Sequence, residues 1–325
     1  MQARWSGTGL TLGLVSAATF GTSGPMASAL ITAGWSPAAV VGIRVALAAL
    51  VLTVPALVQL RGIWHAVRRG AGQVLLTGAV AVAGCQFAYF NAVQHLSVGV
   101  ALLLEYLGSV LVVAWLWLRH GERPRRLTVA GAAAAVVGLL LVLNLTGSQH
   151  LDVVGVLWAL VAAVGLATFF VVTASSDGGL PPVPMTWLSM VVGAAVLLVV
   201  GAIGLAPLRI GAADVRMLNG DVTWLFPILW LALISAAVAY VTGIRAVRFL
   251  GAKLGSFLGL TEVLFAVLFA WLMLGQLPGA LQLLGGVFIV VGVALVRLDE
   301  LRTPRRRVSP ERVREPGLEL EGAAA

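Results

Sequence analysis

Long apolar runs separated by short polar connections dominate this chain. They cover residues 8–31, 37–60, 72–91, 97–118, 126–144, 153–175, 184–204, 224–245, 252–274 and 279–297. Runs of roughly 17–25 residues match the length an α-helix needs to cross a hydrocarbon core about 30 Å thick. The connections carry helix breakers, as between Gly34 and Pro37, Gly121 and Pro124, and Gly275 and Gly279. The longest, 205–223, contains Arg209, Asp214, Arg216 and Asp221 and reads as a small surface loop. Residues 303–325 are polar, contain proline and lack an apolar period, so they read as a disordered tail. The pattern predicts an all-α membrane protein of ten transmembrane helices. The run at 8–31 is too long for the apolar core of a signal peptide and reads as a retained first span.

Composition agrees with lipid as the solvent. The chain is 60% hydrophobic and 10% charged with a mean hydropathy of +1.02, against about 25% charged and 45–50% apolar residues in soluble domains. A net charge of +8 does not point to nucleic acid, because the cations fall in connections rather than on one folded face. With the N-terminus inside, the cytoplasmic side receives Arg4, Arg61, Arg68, Arg69, Arg119, Arg123, Arg125, Arg126, Arg245, Arg248, Lys253 and the arginines after the last span. The other side receives only Arg209 and Arg216. The positive-inside bias therefore puts both termini in the cytoplasm, and the expected location is the bacterial inner membrane. The one cysteine, Cys85, lies in an apolar run and reads as packing.

An internal repeat sharpens the architecture. Shifted by 154 positions, residues 92–142 align on 246–296 without a gap. Trp117 meets Trp271, Gly121 meets Gly275, Pro124 meets Pro278, Gly131 meets Gly285 and Gly138 meets Gly292. The expected units are a five-helix repeat at 1–146, a second at 147–302, and the tail. An odd number of spans per unit turns the second copy upside down, so equivalent connections should carry opposite charge. Connection 119–126 is strongly basic and its counterpart 273–280 is uncharged; 92–97 has no Arg or Lys and 245–253 has three.

The stretches GVALLLEYLGSVLVVAWLWLRHGERP and GSFLGLTEVLFAVLFAWLMLGQLPG, each followed by a glycine-spaced last span, resemble the EamA family of the drug/metabolite transporter superfamily. So does FGTSGP in the first span, followed by an arginine in the second. Around Glu105 the first half is also similar to the threonine/homoserine exporter branch. The resemblance spans nearly all of residues 5–298. It implies ten helices, a central cavity lined by spans one to four and six to nine, and spans five and ten packed outside. It also implies transport of amino acids or other metabolites, often outward. Where the family usually has a proline after the glutamate of spans four and nine, this chain has Tyr106 and Val263.

Arg44, Glu105 and Glu262 are the charged side chains deep within spans. A charge at a helix centre costs about 2.5–3.5 kcal/mol on insertion scales, so each should face protein or water. At about 1.5 Å per residue, Arg44 and Glu105 lie about 10 and 12 Å from the outer side, and matching depth suggests a pair or a shared solute. A purely structural ion pair is the competing reading. Glu262 lies about 15 Å from the cytoplasmic side, near mid-membrane. On the repeat alignment it matches Gly108, so Glu105 is three positions away on nearly the same helical face. A buried carboxylate without its own cation is a candidate proton carrier, and a carboxylate bonded to nearby backbone or hydroxyls is the alternative.

Gln86, Tyr89 and Asn91 in the third span and Tyr240 in the eighth offer hydrogen-bonding groups for a polar solute, or interhelix bonds without one. Ser23 and Gly24 lie in the segment Gly21–Pro25, expected to break the first span; backbone freed there must face protein or a wet cavity. Trp158 lines the cavity or packs toward lipid. The four histidines fall at span ends or in loops, and HExxH, GxSxG, P-loop and GxGxxG motifs are missing, so neither metal, cofactor nor enzyme is expected.

The expected function is a secondary transporter exporting amino acids or related metabolites by alternating access, proton-coupled through Glu262. Uptake or exchange of another small solute, such as an organic anion held by Arg44, remains open. So does a scaffold or sensor without flux. The expected partners are a small solute and the bilayer, and a homodimer is compatible with this reading.

Overall fold

A computed structural model describes residues 7–120, 126–143, 152–174, 180–217, 220–259 and 261–301. The expected tail at 303–325 and positions 121–125 of the basic connection lie outside these residues.

The chain runs through α1 (Gly7–Gly21), α2 (Ser23–Thr32), α3 (Pro37–Leu60), α4 (Trp64–Arg69) and α5 (Ala71–Leu76). A π-helical segment at Thr77–Gly84 leads into α6 (Cys85–His95), α7 (Val98–Glu105), α8 (Gly108–His120) and α9 (Arg126–Leu143). Then follow α10 (Val153–Ala174), α11 (Pro182–Ala202), strands β1 (Val215–Met217) and β2 (Gly220–Val222), and α12 (Leu225–Ala232). A second π-helical segment at Leu233–Val238 precedes α13 (Ala239–Gly259), α14 (Thr261–Leu274) and α15 (Ala280–Leu301). Among the described residues, six helical stretches are long and apolar enough to cross a membrane: Gly7–Thr32, Pro37–Leu60, Ala71–His95, Val153–Thr173, Pro182–Ala202 and Leu225–Leu250. Shorter apolar helices occupy Val98–Val112, Arg126–Gly138, Thr261–Leu274 and Leu283–Gly292. Helix is what an apolar backbone must adopt in lipid, where each N–H and C=O needs an internal partner.

Local chemistry sets the helix ends. At the end of α2, Gly34 takes φ +94°, a left-handed conformation that a side chain would strain. The Gly34 amide then bonds Ile31 O at 3.0 Å and the Trp35 amide bonds Leu30 O at 3.1 Å, closing the last turn. Ser36 caps α3 by accepting from the Ala39 amide at 3.3 Å, with Pro37 at the first helical position.

Helix irregularities recur at the 154-residue shift. It lays Ala79–Gly84 of the first π-helical segment on the second, Leu233–Val238. Contacts recur too. An added Cβ on Gly138 of α9 would lie 2.6 Å from Gly285 O and 2.7 Å from Ile289 N. One on Gly292 of α15 would meet Gly131 O and lie 2.6 Å from Ala135 N. Each helix thus presents the same glycine to the same pair of positions on the other, and the partner numbers run in opposite directions. The main packing pairs are α9 with α15, α3 with α11, α1 with α13, and α6 with α10.

The bundle has two unlike halves. All residues of α7 and all of Ser23–Leu30 in α2 are buried. In α1 only the stripe Gly9, Gly13, Ser16, Ala17 and Gly21 is buried. The half that holds α2 and α7 is closed, and the half that holds α1 is looser.

The connection at 205–223, expected as a loop, contains a short antiparallel hairpin pairing Val215 with Val222 and Met217 with Gly220. It is tied down: the Ser36 amide donates to Arg209 O and the Arg209 amide to Ser36 Oγ, both at 3.0 Å. The Trp35 and Trp224 rings pack 5.6 Å apart above the closed half.

Candidate functional site

A cavity of about 80 Å³ lies at the centre of the looser half. Its walls come from α1 (Gly13, Ser16, Ala17, Phe20), from Ala81 of the first π-helical segment with Cys85 and Gln86 of α6, and from Leu166, Phe169 and Phe170 of α10. Tyr240, Gly243, Ala246, Val247 and Gly259 of α13 complete it, with Glu105 and Tyr106 at the break between α7 and α8 and Glu262 of α14. Small residues on α1 and α13 leave the space, and polar side chains from both halves of the chain point into it. The volume exceeds the roughly 10–15 Å³ that one water needs but falls short of the 300–1,000 Å³ of small-molecule pockets.

The polar groups form short chains. Gln86 Nε2 donates to Tyr240 Oη at 3.2 Å, and Tyr240 donates to Ala81 O at 3.4 Å. Gln86 and Tyr240 are equivalent under the 154-residue shift, so the repeat meets itself here. Ser16 Oγ donates to Ala239 O at 2.9 Å, just past the second π-helical segment. A π turn misaligns local backbone bonding, and side chains from the other half take up the carbonyls. The Cys85 thiol lies 3.3 Å from both Glu105 Oε1 and Ala162 O. Tyr106 Oη lies 2.5 Å from Gly259 O and 2.9 Å from Glu262 Oε2. Phe20 and Phe169 pack edge-on to the Tyr240 ring at 4.9 and 6.1 Å.

A second cluster lies beyond the cavity, in the closed half. Arg44 is fully buried, donates from Nη1 to Ser23 Oγ at 2.7 Å, and stands 4.8 Å over the Phe90 ring. Its Nε and Nη2 have no hydrogen-bond partner among the described residues. Gly24, beside Ser23, is covered by the Tyr89 hydroxyl and by Val98.

Gln86, Tyr240, Glu105 and Glu262 therefore come together on the cavity wall, while Arg44, Ser23, Gly24 and Tyr89 form the buried cluster behind it. The anticipated Arg44–Glu105 ion pair is not made: the one ion pair among the described residues joins His95 and Asp152 at 2.6 Å. The reason is local. The break after α7 turns Glu105 toward Cys85 and the cavity, whereas Arg44 reaches the break between α1 and α2. Asn91 donates to its own helix at Phe87 O, 2.7 Å away, and Trp158 packs edge-on to Phe87 at 5.6 Å, so neither lines this cavity. At the start of α10, the Val154 amide and His95 hold the Asp152 carboxyl below its ordinary range.

The sequence profile of the EamA-like transporter family matches residues 7–144 and again 153–298. The chain belongs to the EamA-like transporter family. As such it is a multi-pass membrane protein of a transporter family. It is 21% identical over 240 residues to the uncharacterized inner membrane transporter YicL of Salmonella typhimurium, covering 73% of this chain and 77% of that one. It is 24% identical over 253 residues to the uncharacterized transporter YwfM of Bacillus subtilis, covering 75% and 78%. A solved structure described only as the crystal structure of a protein shares its fold, with TM-score 0.61 and 20% identity over 90% of this chain and 99% of that chain.

Within this EamA-like transporter, pattern reading missed Tyr106 and Ser16 and took Cys85 for packing. Tyr106 did carry a signal: it occupies the position where the family usually has proline, beside a glutamate, at a helix break.

Proposed function

We propose that this protein is a secondary transporter that exports an amino acid or related small metabolite across the bacterial inner membrane by alternating access. It crosses the membrane ten times as two inverted five-helix repeats with both termini in the cytoplasm, and Glu262 carries the coupling proton. The observation that carries this reading is the cavity itself, which brings two carboxyl groups together and draws its walls from both repeats. Reciprocal glycine contacts between α9 and α15, running in opposite directions, support the inversion. The arginine-rich connections support the orientation. With that orientation the looser half faces the cytoplasm and the closed half faces outward.

Arg44 favours a solute with a carboxylate or another anionic group. A buried guanidinium with two unsatisfied donors gains most from an anion that accepts both. The cavity must widen to reach it, which is the transition alternating access requires.

Counterflow of radiolabelled amino acids and carboxylated metabolites in proteoliposomes tests the reading. Wild-type protein gives solute-dependent counterflow, Arg44→Lys loses most of it, and Glu262→Gln retains exchange but loses its pH dependence. A scaffold or sensor gives no counterflow with any solute. Full pH dependence in Glu262→Gln removes the proton role.

A further inference from the structure

We infer that Tyr106 is a positioning residue that reads the protonation of Glu262 and passes it to the backbone carbonyl of Gly259. The inference rests on the proton-carrying role proposed for Glu262 and adds a partner and a consequence to it.

The argument is a count of protons. Tyr106 Oη lies 2.5 Å from Gly259 O and 2.9 Å from Glu262 Oε2. A backbone carbonyl only accepts, a hydroxyl has one proton to give, and an ionised carboxylate has none. With Tyr106 donating to Gly259, the contact to Glu262 is a good hydrogen bond only if Glu262 carries a proton and donates it to Tyr106 Oη. The chain then runs Glu262 to Tyr106 to Gly259. When Glu262 releases its proton to water in the cavity, its carboxylate becomes the stronger acceptor. The Tyr106 hydroxyl turns toward it and lets go of the Gly259 carbonyl. Tyr106 keeps its own proton throughout; the one covalent change is the Glu262 O–H bond, whose proton passes to a cavity water.

Position gives this exchange a consequence. Gly259 of α13 and Glu262 of α14 both line the cavity. Tyr106 stands at the break between α7 and α8, so its bond to Gly259 joins the two repeats across the cavity. With Tyr106 turned away, the Gly259 carbonyl has a lone pair open to another donor. A solute amine or other N–H group in the cavity supplies one, so proton release and solute binding would meet at one point.

Other charged and titratable groups surround the site. Glu105 lies next to Tyr106 in sequence and on the same cavity, with Cys85 of α6 against it. Arg44 of α3 and Tyr89 of α6 stand behind the cavity wall, and Tyr240 faces the cavity from α13. Arg245 and Arg248 of α13 line a separate surface pocket. The helices α1 and α2 contain no titratable side chain. Glu105 is therefore the group whose signal must be separated from that of Glu262.

Infrared difference spectroscopy on the purified full-length protein, titrated across pH without solute, tests this directly. The readouts are the C=O stretch of a protonated carboxyl and the ring C–O stretch of isotope-labelled tyrosine, of which the chain has three. A carboxyl band lost in Glu262→Gln and retained in Glu105→Gln belongs to Glu262. The expected result is that this band is present at neutral pH, shifts to higher frequency in Tyr106→Phe, and titrates together with a tyrosine C–O component. A Glu262 band that titrates while no tyrosine component moves overturns the Tyr106 switch and leaves the proton role of Glu262 standing. Absence of any carboxyl band assignable to Glu262 overturns both. The tyrosine readout uses the wild-type chain, so it decides the matter even if Tyr106→Phe does not fold.

Discussion

At Gly24 an added Cβ would meet the Tyr89 hydroxyl and the Cγ1 of Val98, and neither neighbour can yield easily. Val98 is fully buried and Tyr89 is 4% exposed, so a shift of either disturbs the wall behind Arg44. Overpacking a closed core by one methyl typically costs about 1–3 kcal/mol. Gly24→Ala is therefore expected to lower the thermal midpoint of the detergent-solubilised protein by that order. Tyr89→Phe removes the oxygen in the way and leaves the ring, so it should recover part of the loss in the double variant. A double variant no more stable than the additive sum would show that the two positions are not in contact. The same crowding packs the wall beside the Arg44 guanidinium, which among the described residues hydrogen-bonds Ser23 and stands over Phe90.

Between α9 and α15 the reciprocal glycines convert a sequence repeat into a packing constraint. A side chain on Gly138 would press on the backbone of Gly285 and Ile289, and one on Gly292 on the backbone of Gly131 and Ala135. Backbone cannot rotate away as a side chain can, so the helices must separate, and small residues are what let them approach. Gly138→Ala and Gly292→Ala should each cost about 1–3 kcal/mol of stability, read as a lower thermal midpoint, and should cost similar amounts because each is the other's equivalent. Unequal losses, with one variant unaffected, would mean that the two contacts are not related by symmetry. This pairing was legible in the sequence, since Gly131, Gly138, Gly285 and Gly292 stood out once the chain was shifted by 154 positions. The break at Gly21–Pro25 was legible for the same reason: glycine and proline punctuate apolar runs visibly. The π-helical segments were not, because TGAVAVAG and LISAAV have the composition of any buried helix and the change lies only in backbone bonding. Depth along a span put Glu105 and Arg44 at one level and so suggested a pair. What depth cannot carry is the azimuth of a side chain, and the breaks at Gly21–Thr22 and Tyr106–Leu107 turn the two groups apart. Tyr106 stood out only as a departure from the family's proline; its contact was not legible, because it depends on Gly259, a residue 153 positions away.

At the scale of the whole molecule, the two halves of the bundle differ in a way that assigns a resting state. The cavity takes its walls from α1 and from α13, and from α7 only the last residue, Glu105. The helix α2, the body of α7 and the Trp35–Trp224 contact close the other half. With the proposed orientation, the cavity lies on the cytoplasmic side of the closed half, where an exporter meets its cargo. The chain supplies its own probe of this arrangement, because Cys85 is its single cysteine and lies on the cavity wall. The thiol is only 4% exposed and contacts Glu105, so reaction requires a small reagent and is slow. A small membrane-impermeant thiol reagent should modify it several-fold faster in inside-out vesicles than in right-side-out vesicles. Modification places a new group beside Glu105 and so should also abolish counterflow, in step with the labelled fraction. A transported solute present on the cytoplasmic side should slow the reaction by occupying the cavity, and one present outside should not. Faster labelling in right-side-out vesicles would reverse the assignment of the two halves, and with it the inference that this conformation waits for solute from within the cell.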